Sequence, residues 1–253
     1  MNDMENVKAL FIDCDGVLYD QEKCSYDDIV NDILNKTLAQ YDISMEEFNQ
    51  TRAALKEKEV RGLYNSVLDL CNRHRIKFDD FAIKMANNTG YSQIPSDTEM
   101  LDLLKKVSEV ISVYIVTNNT APHLVKIFDQ LRGKSSTQSL QEELNIYPIT
   151  IEKTLAFDKD LQRTIFDPKQ MKNQFKMLCA QEDLLPEQVT LIDDTERIRK
   201  KAEKQGLHTL PTEGPEDTKR ILKTILETRR RLHEKSIKKR SLSLRQTCGG
   251  VGR

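Results

Sequence analysis

The chain has 253 residues, of which 38% are hydrophobic and 31% charged, with a formal net charge of −1. That length allows a full α/β core and a second, smaller lobe, and no run approaches the roughly 20 apolar residues of a membrane span. Five scattered cysteines (Cys14, Cys24, Cys71, Cys179, Cys248) with no C-x-x-C pair speak against a disulfide framework and a zinc site. They fit a reducing, cytoplasmic compartment, as does the lack of an apolar signal core in Met1 to Lys8. The charge is unevenly placed. Residues Arg229 to Arg253 hold nine Lys or Arg against one acid, Glu234, so that segment is +8 and the other 228 residues are −9.

Val7 to Ile12 reads as a buried strand running into Asp13-Cys14-Asp15-Gly16-Val17-Leu18-Tyr19. From Ser25 to about Tyr91 the pattern is helical. Ser25 and Ser44 precede Asp28 and Glu47 by three residues, as in capping boxes. One apolar stripe is Ile29, Ile33, Leu34 and Leu38; a second is Leu63, Val67, Leu70 and Cys71; a third is Phe78, Phe81, Ile83 and Met85. Asn87-Asn88-Thr89-Gly90 reads as a helix stop. Ser96-Asp97-Thr98-Glu99 opens another helix, and Val110 to Val116 is a β-branched strand ending at Thr117-Asn118-Asn119-Thr120. A helix with Leu124, Ile127, Phe128 and Leu131 follows. Residues 133–162 resist assignment except for a short strand within Ile146 to Ile151.

Lys169 to Gln181 reads as a helix, and Val189-Thr190-Leu191-Ile192 as a strand ending in Asp193-Asp194-Thr195. Arg197 to Gln205 is a helix stopped by Gly206. Leu207 to Leu210 is the last strand, and a charged helix runs from about Glu216 to Leu232. Alternating strands and helices predict an α/β fold: a Rossmann-like three-layer core with a parallel sheet.

In an extended segment, residues i and i+2 point to one side, so Asp13 and Asp15 can face one phosphate, one as nucleophile and one as proton donor. An acidic turn is the alternative for that segment alone. In a parallel sheet, however, Asp13/Asp15, Thr117 and Asp193/Asp194 all follow strands at the same edge. Four carboxylates gathered there need a cation, and hard oxygen ligands suit Mg²⁺.

These motifs resemble those of the haloacid-dehalogenase (HAD) superfamily phosphatases. Asp13-Cys14-Asp15-Gly16-Val17-Leu18 is similar to the family's first motif, Thr117-Asn118-Asn119 to its second, and Ile192-Asp193-Asp194-Thr195 to its fourth. The resemblance implies hydrolysis of a small phosphorylated substrate through an aspartyl phosphate on Asp13, with Asp15 as acid and base. It also implies phosphate binding by Thr117, Asn118 and Lys169, and a metal site at Asp13, Asp193, Asp194 and the main-chain carbonyl of Asp15. An Asp at position 15 favours a phosphatase or phosphomutase over a dehalogenase or a P-type ATPase.

The third motif departs from the family, because no proline follows Lys169, which lies 25 residues before Asp194; Lys159 and Lys172 are the substitutes. Asp13 and Thr117 are 104 residues apart with the helical stretch between them. That spacing is similar to the subfamily with an α-helical cap inserted after the first motif, including the soluble pyrimidine 5′-nucleotidases. The implied division is residues 1–20 and 95–228 as core, 21–94 as cap, and 229–253 as a basic tail, disordered in part.

Arg61 and Tyr64 are read as a solvated face of a cap helix, His123 as a first-turn residue and His208 as a strand residue. Arg229-Arg230-Arg231 and Lys238-Lys239-Arg240 read as a solvated helix end and tail, with contacts to an anionic partner as the alternative, since no nucleic-acid motif accompanies them. A binding or effector protein that retains the fold is the rival from another class.

Overall fold

The computed structural model describes residues 6–24, 26–57, 63–88, 91–151 and 173–248. Among the described residues there is one five-stranded parallel sheet, ordered β3-β2-β1-β4-β5. The strands are β1 (Ala9–Ile12), β2 (Ser112–Val116), β3 (Ile146–Ile149), β4 (Val189–Asp193) and β5 (His208–Pro211). The sheet starts in its middle. The chain leaves β1 toward β2 and β3 on one side, then returns to place β4 and β5 on the other. The order therefore reverses at β1, where an open α/β sheet leaves a crevice beyond its carboxyl ends.

The apolar runs of the strands are continuous because both faces are covered. Leu10 and Ile12 pack toward Leu104, Leu124, Ile127 and Leu222, whereas Ala9 and Phe11 pack toward Phe175, Leu178, Ile198 and Ala202. Full burial of such side chains contributes roughly 1.5–3 kcal/mol each. This double coverage is what allows a strand without polar alternation.

The helices are α1 (Tyr26–Ala39), α2 (Met45–Glu57), α3 (Leu63–His74), α4 (Phe78–Asn87), α5 (Thr98–Ser108), α6 (Ala121–Arg132) and α7 (Leu140–Leu144). They are followed by α8 (Gln174–Gln181), α9 (Glu196–Lys204) and α10 (Pro215–Cys248). Their starts obey local rules. Asp97 caps α5 by accepting from Met100 N–H at 2.9 Å, and Ser44 accepts from Glu47 N–H at 3.1 Å. The α7 start is a complete capping box between Ser139 and Glu142. Gly133 ends α6 in the left-handed region, φ 70°.

Helices α1 to α4 form the insert between β1 and β2. Ile33, Leu34, Leu38, Val67, Leu70, Cys71, Phe81 and Met85 are buried, as their spacing requires. They join the same apolar cluster as the α5, α6 and α10 side chains, with α4 lying against α6.

Several expectations need correction. Val110 is exposed and β2 begins at Ser112, because α5 and its closing turn extend to that point. Ile83 is exposed, since the buried face of α4 is set by Phe81, Ala82, Met85 and Ala86. Tyr64 is buried edge-on against Phe78 and does not sit on a solvated face. The last helix does not stop near Leu232 but continues to Cys248. Arg61, Lys159, Lys169 and Lys172 lie outside the described residues, as does Ser25. No helix among the described residues is long and apolar enough to cross a membrane.

Candidate active site

Strand register brings the acids together. β1 pairs with β4 so that Ile12 lies opposite Ile192, and Asp13 N–H continues the ladder to the Ile192 carbonyl at 3.0 Å. The next rung therefore sets Asp13 beside Asp193. Each offers a carboxylate oxygen, and Asp194 a third, all within 4.8 Å of one another. Asp193 is fully buried and Asp13 nearly so, while Asp194 is exposed. Two buried acids beside a third carboxylate repel one another, and the low dielectric of the interior magnifies the cost.

Backbone donors hold the acids in place. Asp13 Oδ1 accepts from Cys14 N–H at 2.8 Å, and Asp193 Oδ1 from Thr195 N–H at 2.8 Å. Arg199 reaches back from α9 to donate to the carbonyls of Asp193 and Asp194, both at 2.7 Å, which fixes the turn between β4 and α9. The loop after β1 must pass close beside Asp194. A Cβ on Gly16 would lie 2.4 Å from Asp194 Oδ2, and Gly16 has φ +73°. The positive φ favours glycine there, and a side chain would also have to push the Asp194 carboxylate aside. A preformed set of three hard oxygen donors fits a small divalent cation of the Mg²⁺ class.

Asp15 stands beside this cluster and its side chain is not part of it. Its Oδ1 accepts from the Tyr19 hydroxyl at 2.5 Å and its Oδ2 from Asn119 Nδ2 at 2.7 Å. The resemblance gives Asp15 a metal role through its main-chain carbonyl, and its side chain lies outside the cluster. Neither Tyr19 nor Asn119 was singled out as a site residue in the sequence. The signal available was the hydroxyl four residues after Asp15 and a second amide in Thr117-Asn118-Asn119.

Asp13, Asp15, Gln21, Asn118, Asp194 and Thr195 line a pocket of about 260 Å³, completed by Arg197 and Ile198 from α9. Arg197 is a cation that sequence reasoning missed, because it belongs to no motif and merely follows the acidic pair in the first turn of a helix. Thr117 is buried and lies outside this lining; its Oγ1 accepts from Asn119 N–H at 3.1 Å. Lys169, to which the resemblance gives a phosphate contact, lies outside the described residues.

His123 and His208 do not enter the pocket. His123 is buried at the start of α6, and burial pushes its pKa down to about 3. Cys14 packs into the core, and Cys24, Cys71 and Cys179 are buried as well, none of the four in a disulfide. A larger cavity of about 390 Å³ lies between β5 and α10, but its lining of Thr190, His208, Leu210, Ile225 and their neighbours holds no carboxylate.

The fold and site together define a doubly wound α/β protein with a carboxylate cluster at the carboxyl edge of its sheet. No family model matches the sequence, and no curated protein does. Solved structures of HAD-family enzymes are similar to it. One is the HAD family enzyme bt-2542 from Bacteroides thetaiotaomicron in complex with magnesium and inorganic phosphate. It shares 18% identity over 81% of this chain and 93% of that one, with a TM-score of 0.42. Another is L-2-haloacid dehalogenase from Xanthobacter autotrophicus with chloropropionic acid covalently bound, at 10% identity over 81% and 77% and a TM-score of 0.45. A third is a variant of CbbY from Rhodobacter sphaeroides in complex with xylulose-1,5-bisphosphate, at 14% identity over 81% and 87% and a TM-score of 0.48.

Proposed function

We propose that the chain is a Mg²⁺-dependent phosphatase of small phosphomonoesters, built on the HAD plan that its motifs resemble. The observation that carries this reading is the gathering of Asp13, Asp193 and Asp194 at one sheet edge, with Asp15 alongside but separately held.

Asp13, Asp193 and Asp194, with the main-chain carbonyl of Asp15, would hold the cation. When bound, it would offset the carboxylate charge and polarise the phosphoryl group. A carboxylate oxygen of Asp13 attacks phosphorus, and the bond from phosphorus to the leaving oxygen breaks as Asp15 gives that oxygen a proton. Water then attacks the aspartyl phosphate, Asp15 takes a proton from it, and the bond to Asp13 breaks to release inorganic phosphate. Splitting the displacement in two lowers each barrier, and most of the catalysis is positioning and charge stabilisation.

Asn118 and Arg197 line the pocket where the dianion would sit, and Lys169 is the proposed third-motif cation. Thr117 belongs to this set by motif. Helices α1 to α4 serve as the cap, since they are inserted between the loop after β1, which carries Tyr19, and β2, whose following loop carries Asn119. Nucleoside monophosphates are the first substrate class to screen, on the resemblance to pyrimidine 5′-nucleotidases. Cys14, Cys24, Cys71 and Cys179 are buried and in no disulfide, which supports a reducing, cytoplasmic setting.

The test is hydrolysis of p-nitrophenyl phosphate by the purified chain, with magnesium binding followed separately by calorimetry. EDTA should stop turnover and added MgCl₂ restore it. Asp13→Asn should abolish turnover, and a wild-type rate equal to that of Asp13→Asn would refute the nucleophile.

A further inference from the structure

We infer that Tyr19 and Asn119 are positioning residues for Asp15, which they hold as a proton carrier and keep out of the metal cluster. The inference rests on the phosphatase reading above and adds two residues to it.

Both oxygens of Asp15 are engaged by donors from different parts of the chain. Tyr19 belongs to the segment leaving β1, and Asn119 to the loop after β2, 104 positions away. Each donor is itself anchored. The Tyr19 ring is 2% exposed and packs in the main core. Its segment is closed by Leu18 N–H on the Cys14 carbonyl at 2.9 Å and by a parallel bridge between Asp15 and Tyr19. Asn119 is 4% exposed; its N–H is given to Thr117 Oγ1, and its carbonyl accepts from Ile151 N–H at 3.1 Å. Neither donor can follow Asp15 if that side chain swings away.

The need for such anchoring comes from the neighbours. Asp13, Asp193 and Asp194 meet within 4.8 Å, and Asp15 is two residues from the first of them. A cation bound there would attract any loose carboxylate within reach. An Asp15 recruited as a ligand would lose its lone pairs to the metal and could not exchange a proton with the leaving group. Two directional bonds, one to each oxygen, hold it at the pocket wall instead.

A positioning role has a signature that a structural role lacks. Proton donation matters when the leaving group is a strong base and matters little when it departs as a stable phenolate. The experiment measures kcat/KM for phenyl phosphate and for 2,4-dinitrophenyl phosphate at saturating MgCl₂. Wild type, Tyr19→Phe, Asn119→Ala, Asp15→Asn and the Tyr19→Phe/Asp15→Asn pair are compared. Tyr19→Phe and Asn119→Ala should each lose about 10- to 100-fold on phenyl phosphate, a fraction of what general acid catalysis contributes, and less than about 3-fold on the dinitrophenyl ester. In the Asp15→Asn background, Tyr19→Phe should cost less than about 2-fold, because residues acting as a unit are not additive.

Equal losses on both esters, or the full Tyr19→Phe loss without Asp15, would overturn the inference while leaving the phosphatase reading intact. Failure of the wild type on both esters would instead overturn that reading. Should Tyr19→Phe not fold, Asn119→Ala with its own Asp15→Asn pair decides the matter by the same comparison.

Discussion

The Tyr91 hydroxyl lies 2.6 Å from Nδ1 of His123, and the two rings meet edge-on with centroids 5.0 Å apart. Tyr91 belongs to the segment that returns from the helical insert, and His123 sits in the first turn of α6, so this buried pair pins the end of the insert to the sheet domain. Burial holds His123 neutral and raises the Tyr91 hydroxyl pKa, to which the negative charge of Asp15 adds.

Stability should therefore depend on acid in a predictable direction. Burial takes the His123 pKa to about 3 in the folded chain against 6.5 for a free imidazole, so below pH 6.5 the unfolded state takes up a proton that the folded state refuses. The stability contributed by neutral His123 is fully present above pH 6.5 and is lost as pH falls toward 3, at up to about 1.4 kcal/mol per unit. His123→Gln keeps a polar partner for Tyr91 and cannot titrate. Between pH 6.5 and 5, urea unfolding should show wild type losing about 1.6 kcal/mol more than the variant. Parallel losses would show that His123 is not the group responsible.

Gly16 should be intolerant of any side chain. Gly16→Ala puts a methyl group on the Asp194 carboxylate and forces φ +73° on a residue that disfavours it. We expect a stability loss of about 1–2 kcal/mol by thermal denaturation, and Mg²⁺ affinity reduced at least about tenfold by calorimetry. Undiminished affinity would mean that Asp194 does not bind the ion from its present position.

The sheet was legible because each strand is a run of apolar residues ended by a polar turn, and parallel pairing turns those ends into one edge. The acidic cluster followed from that rule alone. Harder to read was α7, a five-residue helix whose signal is one capping box inside a polar stretch. Tyr64 escaped because a tyrosine on a charged helix looks solvated until the Phe78 that covers it is placed. The supports of Asp15 escaped for a related reason. Asn119 and Asp15 meet only after β1 and β2 pair, and sequence spacing carries no record of which of two adjacent asparagines turns inward.

Arg132 should be the most sensitive charged residue outside the site. Its side chain is 5% exposed; Nε donates to Glu143 at 3.0 Å and Nη1 to Asp129 at 3.1 Å, tying α6 to α7 and so to β3. Arg132→Ala leaves two carboxylates without their cation. A loss of about 3 kcal/mol or more is expected in urea titration, the usual result of removing one partner from a buried pair. Arg132→Met in an Asp129→Asn/Glu143→Gln background should recover part of it, because the buried charges are then gone.

In the proposed function two cations, Arg197 and Lys169, have different tasks that kinetics can separate. Arg197 lines the pocket from an exposed position on the first turn of α9. A solvated charge at that rim attracts the dianion about equally in the ground and transition states, so Arg197→Ala should raise KM several-fold and leave kcat within about twofold. Lys169 is expected to act nearer the reacting atoms, and Lys169→Ala should lower kcat by about 10²–10³-fold, as loss of one transition-state donor does. Lys159→Ala serves as the control and should change neither. A fall in kcat from Arg197→Ala with Lys169→Ala silent would show that α9, rather than the third-motif lysine, supplies the transition-state charge.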